Sequence, residues 1–237
     1  GGSVVAHDAA QRRLIEEKAK IEAAVGIETH ILNRFELRRK APYLSEDALG
    51  GGFCAGEGKA NPLRVTPAIV RAAGAAGATL YRETPGFDLS GKAGKFSIET
   101  PRGTFRADKV INTAGAKAAD VAAMLGMKIA LSGFPLQVSV TEPIAPLIPH
   151  LVYSAAGKLS LKQATNGGCI IGGGWAAHQR DNGHLATNPT NFTGNMAVAA
   201  GVVPQIANAR TIRSWTAWVN GTPDWRPILR AAPNLSG

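Results

Sequence analysis

The stretch "DKVINTAGAKAADVAAMLGM", residues 108–127, has the pattern of a strand that runs through a small-residue turn into a helix. Val110 and Ile111 predict a buried strand, and the spacing of Ala, Val and Leu from Lys117 to Leu125 predicts a helix. Between them, Ala114-Gly115-Ala116 carry almost no side chain. Gly115 either permits tight packing of strand on helix or lets a ligand approach the backbone. The rest of the chain must separate these two interpretations.

Composition predicts a globular chain. The 237 residues suffice for one large domain or two small ones, and the shares of 45% apolar and 18% charged residues exclude disorder. No apolar run approaches the roughly 18 residues that a membrane span needs. The chain begins Gly1-Gly2-Ser3, without an initiator Met or a signal pattern, and ends in the turn-like Asn234–Gly237. We therefore expect it to be an interior piece of a longer protein.

The formal net charge of +9 raises the question of a polyanionic partner. The basic residues are scattered, and the densest group, at positions 34–40, alternates with apolar residues as the solvated face of a helix does. Nucleic-acid binding is therefore not expected, and the charge fits an anionic small ligand equally well.

Cys54 and Cys169 stand far apart, with no Cys-x-x-Cys pair and no cluster of His beside them. This pattern predicts neither a metal site nor a disulfide framework. A reducing compartment, and hence the cytoplasm, is the default expectation.

The first third of the chain predicts two helices and a loop. Residues 8–24 form an amphipathic helix with Asp8 as N-cap and Gly26 past its end. A second helix starts near Asn33 and is stopped by Pro42. The following "GGGFCAGEGKANP" is too rich in glycine for a regular element and predicts a loop.

The remainder alternates between helical and extended patterns. A helix starts at Thr66-Pro67 and leads into the strand "ATLYRE", and "KFSIET" with "GTFRADKV" predicts a hairpin. Beyond Gly133, "PLQVSVTEP", "HLVYSAAGKLSLKQA" and "GGCIIGGGW" alternate as strands of an antiparallel sheet do. A helix over about 190–207 and a final strand and turn complete the pattern.

Four phrases, in this order, resemble the D-amino-acid-oxidase-like family of FAD-dependent oxidoreductases, which includes glycine oxidase, sarcosine oxidase, D-amino-acid dehydrogenases and the flavin subunits of opine and cyanide-forming dehydrogenases. They are "EGKANPLRVTPAIVRAAGAAGATL", "VINTAGAKAADVAAMLG", "LQVSVTEP" and "WTAWVNGTPDWRPIL". Each phrase alone is weak, but their order and spacing extend over nearly the whole chain.

The resemblance implies a mixed α/β (α+β) fold, part of an FAD/NAD(P)-binding Rossmann-like domain interleaved with an antiparallel β-sheet substrate domain. We expect residues 59–132 and 215–237 in the FAD-binding domain and residues 1–58 and 133–214 in the substrate domain. The implied reaction removes a hydride from the carbon that bears an amine, passes it to flavin N5, and leaves an imine that hydrolyses. The implied partners are a small amino acid or amine and an electron acceptor or partner subunit, and any membrane association would be through that partner.

The resemblance also implies site residues. The turn Thr113, Ala114, Gly115 and Ala116 lies against FAD in the family, where the missing side chains let backbone N–H groups approach the cofactor. Thr222, Pro223 and Asp224 match a turn that re-enters the FAD domain near the isoalloxazine. For Asp224, capping of its own turn is an equally good interpretation.

The chain departs from the family at the substrate carboxylate. Val219-Asn220 stands where one branch has an Arg-Pro pair whose arginine binds the carboxylate. Candidate replacement cations are Arg213, Arg226, Lys162 and His178, although a solvated position is the more economical interpretation of each. In "KLSLKQA", Lys162 faces either the substrate or solvent; in the second case Gln163 turns inward. We expect the sheet over 135–175 to cover the flavin.

A second departure concerns the nucleotide. The sequence has no Gly-x-Gly-x-x-Gly loop between a strand and a helix to hold the ADP half of FAD. The alternative to an enzyme fragment is therefore a non-catalytic remnant or a partner-binding subunit without flavin. Either way, we expect the chain alone to bind little flavin and to be inactive.

Overall fold

A computed structural model of the chain describes residues 1–92 and 94–232. The chain divides into two compact units: unit 1 comprises Gly1–Lys59 and Pro135–Ala217, and unit 2 comprises Ala60–Phe134 and Trp218–Gly237. The assignment of substrate binding to the first unit and FAD binding to the second stays a prediction. The turn-like ending expected at Asn234–Gly237 lies outside the described residues.

Strands and helices alternate up to residue 92, and runs of consecutive strands follow. The strands are β1 (Gly2–Ala6), β2 (His30–Asn33), β3 (Gly50–Cys54), β4 (Asp88–Lys92), β5 (Lys95–Thr100), β6 (Gly103–Ala107), β7 (Ser132–Pro143), β8 (Leu151–Ser154), β9 (Ser160–Gln163), β10 (Gly168–Gly172), β11 (His178–Gln179), β12 (Leu185–Ala186) and β13 (Thr211–Gly221). The helices are α1 (Ala9–Ala23), α2 (Arg34–Lys40), α3 (Pro62–Ala75), α4 (Ala118–Met124) and α5 (Pro189–Val202), and 3-10 turns occupy Gly115–Lys117 and Pro204–Asn208.

Unit 1 is built on an eight-stranded sheet in the order β13-β7-β10-β9-β8-β1-β3-β2. The predicted antiparallel arrangement over 135–175 is confirmed, because β7–β10, β10–β9 and β9–β8 all pair antiparallel. These strands are not a sheet of their own, however, since β8 continues into β1 by a parallel pairing. The whole sheet is therefore mixed.

The main core of unit 1 lies on one face of this sheet. Leu161 and Ile171 of the sheet are buried there together with Leu37 of α2 and Ala199 of α5. Helix α2 starts where predicted because Asn33 and Glu36 form a capping box. Helix α1, capped by Asp8 as predicted, packs by contrast against β1, β2 and β3.

The glycine-rich segment at 50–62 was predicted to be a loop. For residues 50–54 this prediction is wrong, because they form strand β3 between β1 and β2, whereas residues 55–61 form neither helix nor strand. The glycines of β3 are required by packing. A Cβ on Gly51 would come within 2.5 Å of the carbonyl oxygen of Val4, and one on Gly52 within 2.8 Å of Ile15 Cγ2. Glycine has a low strand propensity, but at these positions a larger side chain would clash with neighbouring atoms, so glycine is the residue that fits the strand.

Unit 2 contains a three-stranded antiparallel sheet, β4-β5-β6, which includes the predicted hairpin. Helix α3 begins at Pro62 rather than at Thr66, because the Asn61 side chain accepts a hydrogen bond from Leu63 N at 3.0 Å and caps the helix earlier. None of its residues is buried.

Two strands predicted in unit 2 do not form. Residues 78–83, "ATLYRE", and the pair Val110–Ile111 have no strand structure, and Ile111 is 85% exposed. Both patterns are typical of strands buried in a parallel sheet, which exist only when neighbouring strands supply hydrogen-bond partners. Among residues 1–92 and 94–232, no strand pairs with either segment.

Candidate functional site

The turn at Thr113–Ala116 leads directly into a helix, as predicted, although no strand precedes it. The side chain of Asn112 organises it: Oδ1 accepts from Ala114 N at 3.2 Å, and Nδ2 donates to Ala118 O at 2.8 Å. Gly115 has a φ of +57°, which favours glycine, while a Cβ there would meet nothing within 4 Å. The glycine is thus explained by backbone conformation and open space, not by packing of a strand on a helix.

This turn has the properties that a cofactor contact needs. Thr113, Ala114 and Gly115 are exposed, so their backbone is accessible to a ligand. Ala114, Gly115 and Ala116 present no side-chain atom beyond Cβ, which fits the close approach of a flat ring or a phosphate. The residues present therefore fit one part of an FAD contact, while the sequence lacks the loop for the ADP half.

The second predicted turn, Thr222-Pro223-Asp224, is held by its own hydrogen bonds. Thr222 Oγ1 donates to Arg226 O at 2.7 Å, and Asp224 Oδ1 accepts from Arg226 N at 3.2 Å. Trp225 stacks on Phe134, with ring centroids 5.1 Å apart. Asp224 thus does cap its turn, as one of the two interpretations expected, and its remaining carboxylate oxygen lies 4.0 Å from Arg226 Nε. A contact with cofactor or substrate stays a prediction.

Gln163 turns inward and is buried in unit 1. Its Nε2 lies within hydrogen-bond distance of the carbonyl oxygens of Ile144, Ala145 and Gly167, at 2.9 to 3.2 Å. Its Oε1 accepts from the backbone N–H groups of Leu147 and Ile148 at 2.7 and 3.0 Å. The amide is therefore saturated by backbone groups and has no free polar atom to offer a substrate.

Lys162 lies on the opposite face of β9 from Gln163, since side chains alternate along a strand. It is half-buried, and among the described residues it forms no salt bridge. Its neighbour in register on β10 is Ile170. The inward position of Gln163 is the arrangement expected where Lys162 faces solvent, and a contact of Lys162 with substrate stays a prediction.

The three other candidate cations are solvated. Arg213 on β13, His178 on β11 and Arg226 after the second turn are all exposed. Their exposure agrees with the surface interpretation. The sequence analysis did not single out Glu57 and Tyr153, two half-buried residues of unit 1. Glu57 was not considered because it lies in a glycine-rich segment that was predicted to be a loop.

Metal ligands do not cluster in the described part of the chain. Residues 1–92 and 94–232 contain no group of three or more His, Cys, Asp or Glu side chains that could hold a metal ion. None of the described helices combines the length and the apolar character that a bilayer crossing requires. Cys54 and Cys169 are both free thiols.

Comparison with known proteins now identifies the family. The model of the DAO family, FAD-dependent oxidoreductases, matches residues 1–236. The chain belongs to this family, and the resemblance stated from the four phrases is confirmed.

Relatives in this family include the glycine oxidase of Geobacillus kaustophilus, which is 29% identical over 217 residues; the match covers 90% of this chain and 56% of the relative. The beta chain of the sarcosine oxidase of Rhizobium meliloti is 25% identical, with 96% of this chain and 56% of the relative covered. The chain thus spans about half the length of the curated relatives that it matches.

Solved structures confirm the fold. The chain superposes on L-proline dehydrogenase from P. horikoshii with a TM-score of 0.90 and 22% identity, covering 99% of this chain and 64% of that one. Glycine oxidase from Geobacillus kaustophilus gives a TM-score of 0.83 at 22% identity, with 99% and 62% covered. At these identities the likeness concerns the fold alone.

Proposed function

We propose that the chain is part of an FAD-dependent enzyme that oxidises the C–N bond of an amino acid or a related amine by hydride transfer to flavin. The observation that carries the proposal is the family match over residues 1–236, together with relatives named for glycine and sarcosine. FAD, when bound, supplies a two-electron acceptor for the hydride. The protein supplies orientation and electrostatics around the reacting atoms.

The two units divide this work in the proposal. In unit 2, the exposed backbone of Thr113–Ala116 contacts the cofactor, and the self-capped turn at Thr222–Asp224 lies near the ring that accepts the hydride. In unit 1, the sheet face that carries Lys162 orients the substrate. A partner subunit or an external acceptor then removes the electrons. Relatives named as subunits, among them one of the opine oxidase of Agrobacterium tumefaciens, support that step.

The polypeptide encoded by the complete gene tests the activity. Anaerobic mixing with glycine, sarcosine or L-proline is expected to bleach the visible flavin absorption with at least one of them. Flavin that stays oxidised with all three, in protein that dithionite does bleach, would remove the support for C–N oxidation of this substrate class. Protein that never contains flavin would favour the non-catalytic remnant.

Lys162→Met in the same polypeptide tests the substrate contact. If Lys162 binds a substrate carboxylate, loss of the charged hydrogen bond raises KM by about tenfold or more, with flavin content unchanged. Lys20→Met on α1 is the control, because Lys20 is exposed and is expected to leave KM unaltered. Wild-type kinetics for Lys162→Met would place this side chain in water.

A further inference from the structure

Unit 1 contains a cavity of about 390 Å³ that the proposed oxidation chemistry does not use. It is a half-open depression lined by residues of α1, of β1 and β8, and of the loops that follow β3 and β8. This volume is within the range of sites for small organic molecules. Its lining defines which molecule fits.

The floor of the cavity is aliphatic. Val4, Leu14 and Ile15 line it. Ile15 is only 3% exposed, whereas Leu14 is 56% exposed and leaves apolar area uncovered. A ligand with a short hydrocarbon chain would remove this area from water, which favours binding.

The free charge on the lining is negative. Glu57 is half-buried, and in the described part of the chain its carboxylate takes part in no salt bridge. The one lining cation, Lys18, already pairs with Glu22, and its side-chain hydrogen bond lowers the pKa of Glu22 despite the opposing effect of burial. Lys18 and Glu22 thus neutralise each other, and Glu57 remains for a ligand.

A phenol lies beside this carboxylate. Burial first, and then Glu57, raise the pKa of Tyr153 above its ordinary value, so its hydroxyl stays protonated. Tyr153 and Glu57 line the same depression, and a phenol oxygen can accept a hydrogen bond from a ligand. Carboxylate and hydroxyl together offer acceptors to a group with several N–H donors.

Gly2 makes room for this arrangement. A Cβ on Gly2 would lie 2.0 Å from Glu57 Oε2 and 2.5 Å from its Cδ. Any side chain at position 2 therefore displaces the carboxylate. The position of Glu57 depends on the missing side chain of its neighbour.

We propose that this cavity binds a small aliphatic primary ammonium ion, with the ammonium group against Glu57 and the Tyr153 hydroxyl and the hydrocarbon chain over Val4, Leu14 and Ile15. The inference stands apart from the proposed function, because it requires neither flavin nor turnover. A neutral ligand of the same shape lacks the charge that the carboxylate attracts.

The test is an NMR titration of the 237-residue chain with n-butylammonium and, in parallel, with 1-butanol. Shifts at Val4, Ile15 and Tyr153 are expected with n-butylammonium, at a Kd at least tenfold below that for 1-butanol. Glu57→Gln is expected to raise the Kd for n-butylammonium at least tenfold, while Glu17→Gln, the same change at an exposed position of α1, leaves it unchanged.

Equal affinity for n-butylammonium in Glu57→Gln and wild type, or equal affinity of wild type for the amine and the alcohol, would overturn the proposal. If Glu57→Gln does not give a folded spectrum, Gly2→Ala replaces it, because its Cβ displaces the carboxylate without removing it. Weakened amine binding by Gly2→Ala, with binding of 1-butanol retained, supports the site; unchanged amine binding contradicts it.

Discussion

At the scale of single residues, Gln163 shows how a polar side chain can stabilise a fold by bonding the backbone of two neighbouring segments. It is buried, and its amide bonds five backbone groups of residues 144–148 and Gly167. Gln163→Leu keeps a similar volume but removes the acceptor of the Leu147 and Ile148 N–H groups, of which Ile148 is buried, and the donor to three carbonyl oxygens. We expect a loss of about 2–4 kcal/mol in the free energy of unfolding, measured by urea denaturation.

The matched control is Gln179→Leu, the same substitution at an exposed position of β11. Its free energy of unfolding should stay within about 0.5 kcal/mol of wild type. A loss of the same size in both variants, or in neither, would show that the hydrogen bonds of Gln163 do not carry the stability assigned to them.

Tyr43 provides a test at alkaline pH. It is 4% exposed, and burial raises its pKa to about 12 from an ordinary value near 10. Between these values the unfolded chain has lost the phenolic proton and the folded chain has kept it, so stability falls as pH rises from 10 to 12. One proton corresponds to a slope of about 1.4 kcal/mol per pH unit.

Tyr43→Phe should flatten this decline in urea denaturation measured across the same pH range. Tyr81→Phe is the control, because Tyr81 is 49% exposed and the variant should keep the wild-type slope. If Tyr43→Phe declines as steeply as wild type, another group causes the alkaline loss.

At the scale of elements, helices α3 and α5 form a natural pair for comparison. Each has 14 residues, an Asn N-cap and a Pro in its first turn. They differ in burial: α3 has no buried residue, whereas Asn195, Ala199 and Val202 of α5 are buried. Because short helices owe most of their stability to packing, α3 should open far more easily than α5.

Hydrogen exchange followed by mass spectrometry measures this difference. We expect peptides from α3 to exchange much faster than peptides from α5 in the same sample. Equal protection of the two helices would mean that the apolar face of α3, which includes Leu63 and Ile69 at 85% and 63% exposure, is covered in solution.

Local signals account for what the sequence predicted correctly in the fold. The starts of α1 and α2 were predicted because Asp8 and Asn33 cap them through neighbours three residues away. Strand β3 was not predicted because its glycines are required by close contacts with Val4 and Ile15, which are distant in sequence. Val110–Ile111 was predicted as a strand from its pattern, but a strand also needs a partner, which local sequence does not reveal.

The candidate site divides in the same way. The turn at Thr113–Ala116 was predicted from the small size of its residues and from the family resemblance. The capping of its own turn by Asp224 was one of two interpretations offered by its residue type. The saturation of Gln163 by backbone groups, and the approach of Glu57 to Tyr153, depend on the order of strands in the sheet. Such order arises from nonlocal packing, so sequence patterns alone did not predict these contacts.

At the scale of the whole molecule, the question is whether this chain can hold FAD. Its family is FAD-dependent, and the turn at Thr113–Ala116 fits part of the cofactor contact. The sequence has no Gly-x-Gly-x-x-Gly loop between a strand and a helix, which supplies backbone N–H groups and a helix N-terminus to the pyrophosphate. The remaining contacts should therefore give weak binding.

We expect the purified 237-residue chain, incubated with FAD and passed through a desalting column, to retain far less than one FAD per chain by visible absorption. The glycine oxidase of Geobacillus kaustophilus, of which this chain matches 56%, serves as the control for retention. The polypeptide from the complete gene should retain FAD if it supplies the pyrophosphate loop. One FAD per chain on the 237 residues alone would contradict the prediction, and would mean that contacts to the flavin ring suffice without that loop.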